Sequence, residues 1–284
     1  MLRPAILFKE PTADSSYENT LRENGYIAKC VPVLHTVHIN IDGLVEYLSN
    51  AKEVGIYGII VTSKRSCESF GKAMARLCSG FGISVAPEAP LAYLSSIPFY
   101  VVGEATAAAV QEIQLRFKSN GFSCALIRGE QSGTGEQLGR FITDHYDGHG
   151  MGKLLYLTGD KNRDTVPSIL AENNIPFQAL QVYETRQRTD FEVLLDQVVD
   201  SLYAEPTPEP WWTVFFAPST AKFAMPSARK CLSSRNISSR IATIGPVTTC
   251  AIEKAAGSIV QVTAPKPDAL YLAEAIRTFD DQKR

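Results

Sequence analysis

The chain has 284 residues, of which 45% are hydrophobic and 20% are charged, and its formal net charge is −2. This length suits one large domain or two of ordinary size, and the composition is that of a globular protein with a substantial core. The small net charge provides no general basic field, so we expect neither nucleic acid nor a membrane as a partner.

Metal and disulfide chemistry are also poorly supported. The six cysteines include no Cys-x-x-Cys pair. The histidines at His-x-x-x-His spacing, His145 and His149, flank a Gly-containing loop and do not share a helix face, so we expect neither a zinc site nor a disulfide framework. The N-terminal sequence runs directly into a strand and carries Glu10 and Asp14, which argues against a signal or transit peptide. No apolar run approaches the roughly 18 residues of a membrane span. We therefore expect reduced thiols and a cytoplasmic location.

Strands and helices alternate from the start of the chain. A strand at 5–8 precedes a helix ending at Asn24, which Ser15 or Ser16 can cap, and a second strand follows at 27–34. The pattern predicts further strands at 55–61, 98–102, 122–127, 154–157 and 177–182. It predicts helices at 42–51, 105–117, 133–146 and 165–174, another ending near 78, and a loop at 80–95.

The alternation resumes after a charged connector at 184–190. Helices are expected at 191–203 and 267–279 and strands at 212–216, 240–244 and 259–262, with two more helices ending near 232 and 256. Short βαβ units of this kind are typical of parallel sheets.

Two internal repeats show how the chain is divided. Residues 5–36 align without a gap with residues 154–185, and residues 100–112 align with residues 242–254. The two halves hold the same parts in a different order, which indicates one domain inserted into another. We place one domain at 1–35 and 189–284, the other at 39–183, and linker segments at 35–39 and 183–189. Two crossings permit hinge motion around a shared cleft.

Polar turns follow several of the predicted strands and lead into helices. Open parallel sheets bind ligands beyond the C-terminal ends of their strands, and helix N-termini attract carboxylates and phosphates. Repetition of these turns in both domains predicts a large, multiply anionic ligand. Simple helix capping explains any single turn better than ligand binding does, and Gly103 and Gly245 are consistent with tight turns or close packing.

Four motifs carry a family resemblance. They are Val-Thr-Ser at 61–63, Tyr-Val-Val-Gly-Glu-Ala-Thr at 100–106, Val-Tyr-Glu-Thr at 182–185 and Ile-Gly-Pro-Val-Thr-Thr at 244–249. In order and spacing they resemble the uroporphyrinogen-III synthase family over nearly the whole chain. The resemblance implies an α/β chain of two flavodoxin-like parallel-sheet domains, one inserted into the other and joined by a two-stranded linker.

The resemblance also implies an activity, a cofactor-independent lyase reaction. Hydroxymethylbilane, a linear tetrapyrrole with eight carboxylates, is cyclised to uroporphyrinogen III with loss of water and inversion of the last pyrrole ring. Tyr183 and Thr248 resemble the catalytic cleft residues of the family. The turns expected to bind substrate contain Thr62, Ser63, Lys64, Gly103, Thr106, Gly159, Lys161, Ser219, Thr220 and Thr249.

Two residues depart from the family pattern, and one alternative function stays open. Lys64 and Ala217 stand where relatives often carry Pro and Ser, which leaves the contacts at those turns undecided. We expect a monomer. A non-catalytic two-domain receptor or regulatory protein for an anionic small molecule would use the same turns, but it would release its ligand unchanged.

Overall fold

Strands and helices alternate throughout the described chain. The structure, a computed structural model, describes residues 2–80, 88–123, 126–146, 152–161, 165–203, 209–257 and 259–283. In chain order the elements are β1 (Arg3–Phe8), α1 (Ser16–Glu23), β2 (Tyr26–Cys30), β3 (Leu34–His38), α2 (Ile41–Ser49), β4 (Ile56–Val61), α3 (Lys64–Cys78), α4 (Glu88–Ser96), β5 (Phe99–Val101), α5 (Glu104–Phe117), β6 (Ile127–Arg128), α6 (Gly135–His145), β7 (Lys153–Gly159), α7 (Thr165–Glu172), β8 (Phe177–Gln187), α8 (Phe191–Leu202), β9 (Trp211–Phe215), α9 (Pro218–Ser234), β10 (Ser239–Thr243), α10 (Pro246–Ala256), β11 (Val262–Thr263) and α11 (Ala269–Asp281).

The chain forms two units, each with its own sheet. Unit 1 contains residues 1–35 and 186–284, and unit 2 contains residues 36–185. Strands β3 and β8 each run across a boundary between the units. The predicted α/β class with parallel sheets is confirmed.

The sheet of unit 1 has the order β11-β10-β9-β1-β2, and all of its strand pairs are parallel. Alternate residues of each strand face opposite cores. Ile6 and Trp211 belong to the core that also contains residues of α8 and α9, whereas Leu7 and Trp212 belong to the core that contains residues of α11. Both faces are therefore buried, as expected for a parallel sheet.

The sheet of unit 2 has the order β3-β8-β7-β4-β5-β6, and the pairs from β8 to β6 are parallel. Its larger core contains residues of α2, α3 and α4, and its smaller core contains residues of α6 and α7. The C-terminal ends of the parallel strands consequently share one edge of the sheet.

Several sequence predictions of secondary structure are wrong. Helix α4 occupies part of the expected loop at 80–95, with Pro90 in its first turn, where proline is tolerated. Residues 81–87 lie outside the described residues. Strand β2 ends at Cys30 because Pro32 cannot donate to a ladder. Capping by Ser15 is also absent, and Ser16 N–H instead donates to Asp14 at 3.3 Å.

Two short strands differ from their predicted ranges. The strand predicted at 122–127 is reduced to Ile127 and Arg128, although residues 124 and 125 lie outside the described residues. The strand predicted at 259–262 begins only at Val262, and Ile259 is 77% exposed. The apolar pair Ile259 and Val260 therefore suggested a strand where the chain has not yet joined the sheet.

A buried carboxylate connects helix α11 to four strands of unit 1. Asp280 is 2% exposed and accepts hydrogen bonds from Tyr26 Oη at 2.7 Å and Trp212 Nε1 at 3.0 Å. Its oxygens also bind the guanidinium groups of Arg3, at 2.6 Å, and Arg240. Burial acts to raise the pKa of Asp280, but its hydrogen bonds and the charge of Arg3 outweigh this, so the pKa is lowered overall.

Replacing Asp280 by asparagine preserves the shape of the side chain but removes the negative charge between two partly buried arginines. We expect Asp280→Asn to lower the free energy of unfolding by about 3 kcal/mol, measured by urea denaturation. Asp281→Asn, at an exposed position of the same helix, is the matched control. Equal stability of the two variants would contradict this account of the cluster.

The same cluster predicts a dependence on pH. Since the folded pKa of Asp280 lies below its unfolded value of about 3.9, the carboxylate stabilises the fold above that pH. This contribution is lost as the pH falls through the folded pKa. The stability difference between wild type and Asp280→Asn should therefore be complete at pH 6 and shrink below about pH 4.

Candidate active site

The C-terminal edge of the unit 2 sheet holds a polar cavity of about 450 Å³. It is lined by residues that follow β4, β5 and β7 and by Tyr183 of β8. Four predicted site residues meet here, namely Thr62, Ser63, Lys161 and Tyr183, together with Val102, Thr134, Gly135, Glu136, Tyr156, Thr165 and Val166. The parallel order of the strands brings them together from distant parts of the sequence.

Ser63 connects the start of α3 to Tyr183. Its Oγ accepts the N–H of Ser66 at 3.1 Å, which makes it the N-cap of α3, and donates to Tyr183 Oη at 3.3 Å. The guanidinium carbon of Arg65 lies 6.0 Å from the centre of the Tyr183 ring. The phenol therefore sits beside the positive end of a helix and near a cation.

Two more residues of this turn take different positions. Thr62 Oγ1 lies 3.5 Å from Tyr156 Oη within the cavity lining. Lys64 is the first residue of α3 and is exposed. The Lys64 ammonium can therefore meet an anion from solvent, although it does not line the cavity.

Gly103 and Gly245 leave open space at two helix N-termini. They are the N-caps of α5 and α10, their φ angles of 179° and 174° are extended, and a Cβ atom on either would meet nothing within 4 Å. Neither a tight turn nor close packing requires glycine at these positions, so both structural explanations considered for them are wrong. The open space instead leaves the adjacent helix N–H groups accessible to an anion.

The threonines that follow these glycines are buried. Thr106 and Thr248 are 7% and 3% exposed, and the N–H of each donates to the preceding glycine carbonyl at 3.1 Å. Thr248 and Gly245 also line a cavity of about 320 Å³ at the C-terminal edge of the unit 1 sheet. The corresponding residues of the two repeats thus have the same local structure.

Of the remaining predicted residues of unit 1, one is exposed to solvent and two have side chains that form internal hydrogen bonds. Ser219 is exposed in the first turn of α9. Thr220 Oγ1 donates to the Ala217 carbonyl at 2.8 Å. Thr249 Oγ1 lies 2.6 Å from Thr243 Oγ1 and 2.7 Å from Thr263 Oγ1. Both threonine hydroxyls serve the local structure, and substrate binding by Thr220 and Thr249 stays a prediction.

Sequence reasoning missed a lysine at the edge of unit 1. Lys9 directly follows β1, and its Nζ lies 4.7 Å from the centre of the Tyr17 ring and 5.6 Å from that of Phe216. The Nζ atom is buried and has no hydrogen-bond partner among the described residues. Its position immediately after the first strand was the signal that could have identified it.

The described residues offer no alternative metal or membrane site. Among them, no group of three His, Cys, Asp or Glu side chains could hold a metal ion. None of the helices in the described ranges is long and apolar enough to cross a membrane. The five cysteines whose surroundings are described are free thiols, and burial raises the pKa of Cys67 to about 12.

The capping role of Ser63 predicts a difference between two serines at the starts of α3 and α9. Ser63→Ala removes an N-cap and should lower the free energy of unfolding by about 1 kcal/mol. Ser219→Ala should change it by only a few tenths of a kcal/mol, because Ala217 is the N-cap of α9 and makes no side-chain bond. Chemical denaturation of both variants tests this, and an equal loss would show that Ser63 does not act as a cap.

Comparisons with known proteins agree with these features. The family model described as "Uroporphyrinogen-III synthase HemD" matches residues 15–273. The uroporphyrinogen-III synthase of Saccharomyces cerevisiae is 25% identical over 98% of this chain and 97% of its own. The uroporphyrinogen-III synthetase structure from Helicobacter pylori is 18% identical, covers 98% of this chain and 99% of its own, and has a TM-score of 0.51, which supports the fold. A mutant synthase from Thermus thermophilus is 13% identical over 99% of both chains, with a TM-score of 0.43. The chain belongs to the uroporphyrinogen-III synthase family.

Proposed function

We propose that the C-terminal edges of the two sheets carry out the reaction of this family, in which hydroxymethylbilane is cyclised to uroporphyrinogen III. The observation that carries the proposal is the hydrogen bond from Ser63 to Tyr183 Oη at the cavity of unit 2. Family membership supports a cyclising lyase. The relatives reported above are synthases and give no support to the alternative of a non-catalytic receptor.

Tyr183 is suited to help the substrate hydroxyl leave. Because its oxygen accepts a hydrogen bond from the Ser63 hydroxyl, its own O–H remains available to donate to a ligand in the cavity. The carbon–oxygen bond of the hydroxymethyl group breaks with its electron pair on oxygen, and the phenol proton completes the water. The azafulvene cation that remains is attacked by the already substituted α-carbon of the last pyrrole ring. The bond from that carbon to the neighbouring methylene then breaks with its electron pair returning to the last ring, and the methylene cation left on the neighbouring ring is attacked by the free α-carbon of the last ring, which inverts it. The proton released in this final closure restores the phenol.

The open helix N-termini are suited to the substrate carboxylates. Each unit presents one such end, at Gly103 and at Gly245, where N–H groups and the helix dipole favour a negative charge. The exposed side chains of Lys64 and Lys161 add positive charge near the unit 2 cavity. Binding and orientation of a multiply charged chain supply much of what this reaction needs.

Thr248 contributes to the structure of the turn that begins α10. Family resemblance assigns it to the cleft, but its side chain is buried in the first turn of α10. We therefore assign Thr248, and its repeat partner Thr106, to shaping the N–H groups of the turn rather than to touching the reacting atoms. Thr248→Val tests this assignment, since it keeps the shape of the side chain.

Further properties belong to the proposal. The protein acts as a monomer, in the cytoplasm and without a cofactor. Its domains are residues 1–35 with 189–284 and residues 39–183, and residues 35–39 and 183–189 are the linkers. The free thiols of the described cysteines agree with a reducing compartment. Analytical ultracentrifugation of the purified protein decides the oligomeric state.

The activity is tested with freshly generated hydroxymethylbilane. The products are oxidised and the uroporphyrin isomers are resolved, and we expect mainly isomer III from the wild type. Tyr183→Phe should lower kcat roughly 10- to 100-fold, because positioning and charge still assist the reaction without the acid. Isomer I alone, the product of unassisted closure, from a folded protein would reject the synthase assignment and favour the receptor.

The open glycine positions allow a second test, which separates ligand binding from folding. Gly103→Val and Gly245→Val should lower the free energy of unfolding by no more than about 1 kcal/mol, the cost of a poorer N-cap residue, because the space is empty and the backbone is extended. Each side chain would cover the helix N–H groups, so we expect KM to rise roughly tenfold, the loss of about one charge-assisted contact. Gly43→Val, at another open glycine, controls for the substitution itself. Unchanged KM values would place the carboxylates elsewhere.

A further inference from the structure

Gly159 and Tyr183 face each other at the ends of two neighbouring strands. In the parallel pair β7–β8, Thr158 pairs with Gln181 but Gly159 pairs with Tyr183, so the register shifts by one residue and passes over Val182. Irregularities of this kind redirect side chains and are frequent beside active sites.

The shift changes the direction of the Tyr183 side chain. Regular alternation would send neighbouring residues of a strand to opposite faces. Val182 is instead fully buried in the larger core of unit 2, and Tyr183 packs against that same core. The ring thereby reaches the turn that contains Ser63, rather than following the regular direction of the strand.

The Tyr183 ring fills the space that a side chain at position 159 would occupy. A Cβ atom built on Gly159 would lie 2.3 Å from Tyr183 Cζ, 2.5 Å from Cε2 and 2.7 Å from Oη, far inside contact distance. The φ angle of Gly159 is outside the left-handed region, so the backbone does not require glycine here. The missing side chain of Gly159 instead leaves room for the Tyr183 ring.

Two contacts therefore fix the phenol. Gly159 provides the surface under the far end of the ring, and Ser63 donates to its oxygen at 3.3 Å. The carbonyl of Leu157, also in β7, accepts a hydrogen bond from Ser66 Oγ at 3.0 Å and so connects the first turn of α3 to this strand. Strand β7, which contains Gly159, and helix α3, which Ser63 caps, are thus connected by a hydrogen bond.

We propose that Gly159 is a positioning residue for Tyr183 in the reaction, and that the register shift and the missing side chain together aim the phenol at the substrate. This inference rests on the proposed role of Tyr183 as proton donor. It replaces the expectation from sequence that Gly159 itself contacts the substrate. Ser63 completes the arrangement as the donor that leaves the phenol proton free.

The test is a double-substitution cycle on steady-state turnover. Gly159→Ala should displace only the far end of one side chain, so the protein should fold and kcat should fall by the same factor as in Tyr183→Phe, with KM changed less than about threefold. The variant carrying both substitutions should be no slower than Tyr183→Phe alone. Gly43→Ala, at a glycine whose Cβ would meet nothing within 4 Å, should behave as wild type.

Two outcomes of the kinetic cycle would overturn the inference. One is a Gly159→Ala enzyme with the wild-type kcat, and the other is a double variant in which the two losses multiply. If Gly159→Ala instead lowers the urea midpoint, the same substitution in a Tyr183→Ala background should lower the midpoint much less, because the ring that the new methyl group meets is gone. A loss that persists there would show that position 159 is sensitive for another reason.

A spectroscopic measurement separates this inference from the synthase assignment. With 3-fluorotyrosine introduced at position 183, the ¹⁹F resonance should shift in Gly159→Ala and not in Gly43→Ala. An unshifted resonance would reject the positioning role even if isomer III is formed. A shifted resonance in a protein that forms only isomer I would retain the geometry and reject the reaction.

Discussion

Parallel pairing of the strands is the constraint on which the rest of the structure depends. In a parallel sheet all strands end at the same edge, and each connection to the next helix begins there. Polar residues that are widely separated in sequence, such as Ser63 and Tyr183, therefore meet at one edge without any local signal that pairs them. The same constraint aims several helix N-termini in one direction, which favours a ligand with many negative charges.

Each unit has such an edge on its own sheet, but the residues at the two edges differ in their chemistry. The open glycine and buried threonine recur as Gly103 with Thr106 and as Gly245 with Thr248. At the repeat positions of Gly159 and Tyr183, unit 1 instead has Glu10 and Leu34. Under the proposed function, anion binding is thus expected of both units, whereas the positioned phenol is expected of unit 2. A repeated scaffold with one specialised copy explains how one fold serves both binding and reaction.

The sequence predicted the alternation of strands and helices and the α/β class, because apolar periodicity and turn residues are local signals. It did not predict α4, since Pro90 and nearby serines resemble a loop until the burial of Leu91 and Leu94 is known. The register shift at Gly159 and the four partners of Asp280 depend on contacts between distant segments. For the same reason the hydroxyl of Thr249 looked available in the sequence although it is bonded inside the unit.

Binding of carboxylates at the open helix ends is the central claim, and amide NMR of the protein measures it most directly. The ¹⁵N–¹H spectrum is followed while uroporphyrin III, an octacarboxylate related to the product, is added. The account predicts that the largest shift changes occur at the amides of Glu104, Ala105 and Val247, which begin α5 and α10. Shift changes confined to the opposite edges of the sheets, such as at Ile56 and Lys153, would contradict it.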